Sequence, residues 1–314
     1  MPVMGRLTFW LLSLVLMFGL RGIGETTKPT VEAGYADVNQ EHSAWPSPES
    51  VLGDLRSTNN DTRLKALKVA GLTERQAHEA IESVENGSPS KITGGAVITP
   101  DRVELMYAAL GEGTDQQAVL AFEVSSQRHS YAAIAVPRGK VWERIALIDC
   151  WCKYDVELSQ DALAEFVSLR PVPQPEPSGA QHYELVVHSS GGGTGIYTQY
   201  EAHFRIYRGA LRQVLLFTSA FHSNDPTSPK ASTVQIERRW FTTEILGSSA
   251  FGGTLVEAKG KFPADQYPEI QWTVKPLLDM HLQEVSCHQY RWDATTFRYE
   301  PLDAKMAACP VRQE

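Results

Sequence analysis

Residues 118–148 read AVLAFEVSSQRHSYAAIAVPRGKVWERIALI, and this stretch decides the fold class. It holds three short runs, Ala118–Val124, Tyr131–Val136 and Val141–Ile148, rich in apolar and β-branched residues. Polar residues part the first two, and Arg138-Gly139 supplies a turn before the third. Runs of this length, bounded by turn chemistry, predict strands joined by hairpins. Val103–Leu110 adds a fourth strand upstream, ahead of a Gly111-Glu112-Gly113 turn. From about residue 98 the apolar period is two and no longer 3.6.

A second β region is expected beyond the alternating prolines of Pro171–Pro177. Its candidate strands are Tyr183–His188, Tyr197–Tyr207, Leu211–Ser219, Thr233–Thr243, Thr254–Lys259, Ile270–Val274 and Cys287–Trp292. Gly191–Gly195 and Gly252-Gly253 read as loops or bulges between or within them. The expected fold is α+β and mainly β: antiparallel sheets, sandwich-like or as partial propeller blades, with a small helical N-terminal unit.

That helical unit spans residues 47–87. Ser47-Pro48 pairs an N-cap with proline at the first helical position. Asn60 or Asp61 can cap a second helix, whose face carries Leu64, Leu67 and Val69 and which Gly71 can end. Thr73 and Gln76 make a capping box opening a third helix with Ala77, Ala80, Ile81 and Val84. A further helix is expected over Leu158–Leu169, closing the first β-rich region (residues 88–170). Residues 171–180 read as a stiff proline-rich linker and residues 181–314 as a second β-rich domain. Residues 25–46 show no period and read as a mobile leader.

Residues 1–24 have the layout of a secretory signal peptide: Arg6, an apolar run Leu7–Leu20, then Gly22 and Gly24 at the positions small residues take before a cut. The run is shorter than the about 20 residues a spanning helix needs, so cleavage before Glu25 is expected over retention as an anchor, with no stable membrane insertion afterwards. The expected location is periplasmic or secreted. The full chain has 314 residues and net charge −8; removing Arg6 and Arg21 leaves −10. No Lys/Arg cluster stands out, which argues against nucleic acid as a partner.

Export changes the reading of the four cysteines, Cys150, Cys152, Cys287 and Cys309. In an oxidising compartment they are disulfide candidates, and sequence leaves three pairings open. The alternatives are a thiol-redox role at Cys150 and Cys152, or a metal site of Cys150, Cys152, Cys287 and His288, although C-x-C is tighter than the usual zinc spacing. His182, His188 and His203 form a second, weaker metal alternative, since strand periodicity puts the first two on one face. Gly191–Gly195 lacks the Gly-Lys-Ser/Thr ending of a phosphate-binding loop, and neither G-x-S-x-G nor H-E-x-x-H occurs. No cofactor is called for. Tyr290, Trp292, Phe297 and Tyr299 crowd one hairpin and could offer a binding face.

Tyr290–Tyr299 is similar to the Y-x-W-[DN]-G-x-x-F hairpins of exported bacterial proteins with FG-GAP or propeller-like blades, with Ala294 at the usual turn glycine. The calcium-binding aspartate ladder of that family is missing, so calcium is not implied. Leu55–Leu72 resembles one HEAT-type helical repeat; a solenoid needs about three, so docking on the β-rich part is expected. With Cys-Trp-Cys-Lys-Tyr at 150–154, the chain resembles exported bacterial proteins to which no activity attaches. The first functional expectation is therefore an exported, non-catalytic binding or structural module of the cell envelope, its partner an envelope protein or glycan. An exported hydrolase with a dispersed active site is the alternative, because catalytic groups usually meet in space rather than in sequence.

Overall fold

The computed structural model describes residues 31–33, 36–85, 102–111, 113, 115–124, 129–151, 166–173, 180–193, 196–223, 233–246, 250–263 and 284–302. Two antiparallel sheets and three short helices account for most of them, so the fold is α+β and mainly β. The first sheet holds β1 (Val31–Ala33), β2 (Ala36–Asn39), β3 (Ser43–Trp45), β4 (Val103–Ala108), β5 (Gln117–Val124), β6 (His129–Arg138) and β7 (Val141–Trp151), ordered β1-β2-β7-β6-β5-β4 with β3 also on β7. The second is a meander of β8 (Val167–Pro171), β9 (Tyr183–Gly193), β10 (Ile196–Tyr207), β11 (Ala210–Ser223), β12 (Thr233–Leu246), β13 (Ala250–Pro263), β14 (Glu284–Asp293) and β15 (Arg298–Pro301) in sequential order.

Strand β5 shows why the decisive stretch is so apolar. All of its residues are buried, because the first sheet is covered on both faces. On one face Val119, Ala121, Ile134 and Ile148 pack against Leu185, Val187, Phe204 and Ile206 of the second sheet. On the other, Leu120, Phe122, Ala133 and Leu147 pack against the helices through Leu55, Leu67, Ala77 and Ile81. A strand covered twice has no solvent face on which to place polar residues. Each large apolar side chain buried here is worth about 1.5–3 kcal/mol.

Local signals set the helices. In α1 (Pro48–Leu55) the Ser47 side chain accepts a hydrogen bond from the Ser50 N–H at 3.1 Å. In α2 (Asn60–Ala70) the cap is Asn59, whose Oδ1 accepts from the Thr62 N–H at 3.0 Å; the cap thus falls one residue before the expected Asn60. Gly71 ends α2 at φ +119 and leaves room for the Arg144 guanidinium, which a side chain would meet. Before α3 (Glu74–Glu85) the Thr73 N–H donates to Gln76 Oε1 (3.0 Å) and the Gln76 N–H to Thr73 Oγ1 (3.3 Å), a reciprocal capping box.

The second sheet rolls over on itself. In β8–β10 one set of alternate residues, including Val167, Leu185, Val187, Ala202, Phe204 and Ile206, faces the first sheet. By strand alternation, Arg170, Glu184, His188, Glu201, His203 and Arg205 face the other way, and the later strands fold across that face. Tyr299 of edge strand β15 donates to Glu184 of β9 at 2.6 Å, and Phe297 stacks on Tyr207 of β10 with ring centroids 4.3 Å apart. Val214, Phe217, Phe241, Leu255, Phe297 and Tyr299 fill the inside. The sheet is not closed: β8 and β15 stay its two ends.

Four expectations are corrected. Of the expected leader, residues 31–33, 36–39 and 43–45 are strands, and β2 and β3 pair with β7; Ala36, Val38 and Trp45 are buried there, so tertiary pairing overrides a segment too short to show a period. Val167–Leu169, expected as the end of a helix, belong to β8 and pair with β9; β-branched Val167 and the nearby Pro171 suit a strand end better, and residues 158–165 lie outside the described residues. Gly191–Gly193 continue β9 and pair with β10, so they are strand and not loop. Gly252 and Gly253 sit in regular pairing within β13. There a side chain at Gly252 would meet the Tyr290 carbonyl, and one at Gly253 the Phe241 ring, so close approach explains the glycines. Ile270–Val274, residues 1–30 and most of the proline-rich linker lie outside the described residues.

Two substitutions test this packing in opposite directions. Gly253→Val should destabilise by about 1–3 kcal/mol, since it drives a side chain into Phe241. Gly53→Ala, in α1 with nothing within 4 Å of the added methyl, should stabilise by about 0.5–1 kcal/mol. Urea unfolding of both variants reads the two signs.

Candidate functional site

The polar residues on the inner face of the roll form one buried cluster. His203 is wholly buried, with Nδ1 2.8 Å from Glu184 Oε2 and Nε2 2.8 Å from Glu201 Oε1. A neutral imidazole would present a lone pair to one of these carboxylates at hydrogen-bond distance, so the ring carries a proton on both nitrogens. Arg170 Nη2 reaches Glu201 Oε1 at 2.8 Å, while its Nη1, 3.3 Å from His203 Nε2, donates to the Phe241 carbonyl at 3.0 Å. Tyr299 donates to Glu184 Oε1, the second oxygen of that carboxylate. His188 Nδ1 lies 3.8 Å from Glu201 Oε2. Among the hydrogen-bonded groups two cations, His203 and Arg170, face two carboxylates.

Each side chain is placed by strand pairing. Glu184 and His188 share the inner face of β9, and Glu201 and His203 that of β10. Arg170 comes from β8, Phe241 from β12 and Tyr299 from β15. Phe241 meets the His203 ring edge-on at 5.7 Å. Below, the Arg205 guanidinium lies 4.7 Å from the centre of the Trp292 ring and 5.3 Å from that of Phe297, the geometry of a cation–π contact.

Burial and charge pull the pKa values in opposite directions. Burial alone would push Glu201 up, yet the hydrogen bond from His203 and the charges of His203, Arg170 and His188 outweigh it and hold Glu201 at about 2. Burial alone would lower His203, but its hydrogen bonds to Glu184 and Glu201 raise it. His188 is lowered by burial, against the attraction of Glu201. Tyr299 is raised by burial and then by Glu184, so its phenol stays a donor.

The expected site residues are distributed unevenly. His188 and His203 do meet in the cluster, but His182 lies at the seam with Ala109 and Val172 and takes no part. Both His203 nitrogens face carboxylates, and among the described residues no group of three His, Cys, Asp or Glu is arranged for a metal ion. Phe297 and Tyr299 are buried in the roll, and only Tyr290 and Trp292 are partly exposed, so the four do not form one open face. Neither Cys150 nor Cys287 is a free thiol; both are disulfide-bonded, and Cys152 and Cys309 lie outside the described residues. A metal site needs thiolates, which a disulfide-bonded Cys150 and Cys287 do not offer. Cys150 Sγ lies 3.8 Å from the His188 carbonyl, at the seam between the sheets.

Sequence reasoning missed Arg170, Glu184, Glu201 and Arg205. The signal for Glu201 and Arg205 was the alternation of charge with apolar residues in Glu201-Ala202-His203-Phe204-Arg205, which ordinarily marks a solvent face. No family model, no curated protein and no solved structure matches the chain.

Stability should follow the two titrations. The His203 contribution is fully present below its ordinary 6.5 and is lost as pH rises through its raised value in the folded protein. The Glu201 contribution is present above its ordinary 4.5 and is lost as pH falls toward about 2. Urea unfolding across pH should show a plateau between 4.5 and 6.5 from this cluster, with the alkaline decline flattened in His203→Asn. At the plateau, Tyr299→Phe should cost about 1–3 kcal/mol by stripping a donor from a buried carboxylate. His203→Ala should cost about 3–5 kcal/mol, because it removes the cation between two buried carboxylates and leaves Glu184 with only the Tyr299 hydroxyl and Glu201 with Arg170.

Proposed function

We propose that the chain is an exported soluble protein serving as a binding or structural module of the cell envelope, with the polar cluster of the roll as a brace and not a catalytic centre. One observation carries this reading: the cluster is saturated. Both His203 nitrogens, both Glu184 oxygens and the Arg170 guanidinium already have protein partners, so none of these groups is left open to a substrate. The signal layout of residues 1–24 and the disulfide-bonded cysteines support export. Among the described residues, no helix is long and apolar enough to cross a membrane. The partner is an envelope protein or glycan, met where the amphipathic side chains of Tyr290 and Trp292 are half-exposed.

A second reading, an exported hydrolase with a dispersed site, is favoured by one observation outside the roll: His129 Nδ1 lies 2.6 Å from Asp149 Oδ1 on the first sheet.

Two measurements test the first reading. Protein recovered from an oxidising compartment should begin at Glu25 and hold all four cysteines in bridges, as intact mass with and without reduction will show; retention of residues 1–24 or titratable thiols would count against it. Tyr290→Ala and Trp292→Ala, checked for folding by circular dichroism, should lower retention on insoluble cell-wall polysaccharide several-fold, and unchanged retention of both removes the glycan partner.

A further inference from the structure

The first sheet carries a second polar cluster, on its helix-covered side and apart from the roll. His129 begins β6 and Asp149 lies near the end of β7; Tyr131 pairs with Asp149 and His129 with Trp151. The two are therefore diagonal neighbours on one face. Asp149 Oδ2 accepts from Gln76 Nε2 of α3 at 3.3 Å, and Gln76 is itself held by the capping box with Thr73. The imidazole lies over the Tyr131 ring, centroids 5.8 Å apart and planes 17° from parallel. Carboxylate, stack and helix together fix the ring.

This histidine differs from His203 in what is left open. With Nδ1–H donated to Asp149, the neutral ring bears its lone pair on Nε2. Among the described residues nothing bonds that nitrogen, it is not among the buried unpartnered atoms, and the side chain is 28% exposed. The oriented ring thus turns its basic nitrogen to solvent. Two carboxylates, Asp149 and Glu79, are near enough to raise the Tyr131 phenol after burial has done so. Their negative potential repels a phosphate ester and tolerates a neutral substrate.

We propose that His129 is a general base that activates water against an uncharged carboxylic ester, with Asp149 and Gln76 as positioning residues; this rests on the hydrolase reading. Nε2 takes a proton from water as the water oxygen bonds to the carbonyl carbon, and the carbonyl electron pair moves to its oxygen. Collapse of that intermediate breaks the ester C–O bond, and the imidazolium returns its proton to the leaving alkoxide. The products are an acid and an alcohol, and nothing is oxidised or reduced.

The test uses the full chain with 4-nitrophenyl acetate, 4-nitrophenyl phosphate and a 4-nitrophenyl glycoside. Turnover of the acetate alone is expected. His129→Gln should lower kcat/KM about 10²–10³-fold, with His78→Gln unchanged as a control for surface imidazoles. In His129→Gly, added imidazole should restore turnover; in Asp149→Asn, which disturbs the tautomer, the loss should be smaller and imidazole should not help. Acetate turnover undiminished in His129→Gln overturns the assignment and leaves the hydrolase reading standing, as does turnover of only the phosphate or the glycoside. No turnover of any of the three removes both. If the His129 variants fail to fold, the wild-type protein is treated with diethyl pyrocarbonate and mapped: activity lost in step with modification of His129 supports the proposal, and loss without it overturns it.

Discussion

A protonated histidine held between two glutamates is the constraint on which the second sheet depends. Taking an ion from water into a protein interior costs several kcal/mol even after relaxation. Here His203 and Arg170 balance Glu184 and Glu201, and each carboxylate oxygen that faces them is bonded. The donors and acceptors come from β8, β9, β10, β12 and β15, so the cluster can be satisfied only if the far strands lie over the near ones in a single arrangement. Aromatic packing would hold two layers together without choosing their relative position; the hydrogen bonds choose it. The edge strand β15 has only four residues, too few to fix itself by its ladder with β14. Its Tyr299 hydroxyl, reaching Glu184 across the roll, supplies what the ladder lacks. In turn the apolar cluster of Phe217, Phe241 and Leu255 keeps water away and strengthens each of these bonds.

Legibility in the sequence followed the range of the interaction. Hairpins such as β6–β7, the caps at Ser47 and Thr73, and the end of α2 at Gly71 are set by neighbours within a few residues, and all could be read. The alternation of β9 and β10 was readable as strand, but not its meaning. Glu201, His203 and Arg205 looked like a wetted face because nothing local says that the sheet will fold across it. The same holds for β2 and β3, which are strands because β7 offers an edge, and for Gly253, whose reason is the Phe241 ring rather than a turn. At the candidate site, the histidine positions on β9 and β10 were visible, while the carboxylates that decide their chemistry became relevant only when the roll closed.

The two ordered histidines show how surroundings, and not residue type, set chemical capacity. His203 and His129 each donate Nδ1–H to a carboxylate. For His203 a second glutamate closes the remaining nitrogen, so the ring is cationic, buried and committed to structure. For His129 the second nitrogen meets solvent, and the partner carboxylate is held from behind by Gln76. Buried networks of the first kind need every member in place, and removing one leaves charges without partners. Pairs of the second kind add little to stability when partly exposed. That asymmetry divides the molecule: a rolled sheet stiffened from within by a completed set of charges, and a helix-covered sheet at whose margin one oriented base stays open to what the solvent brings.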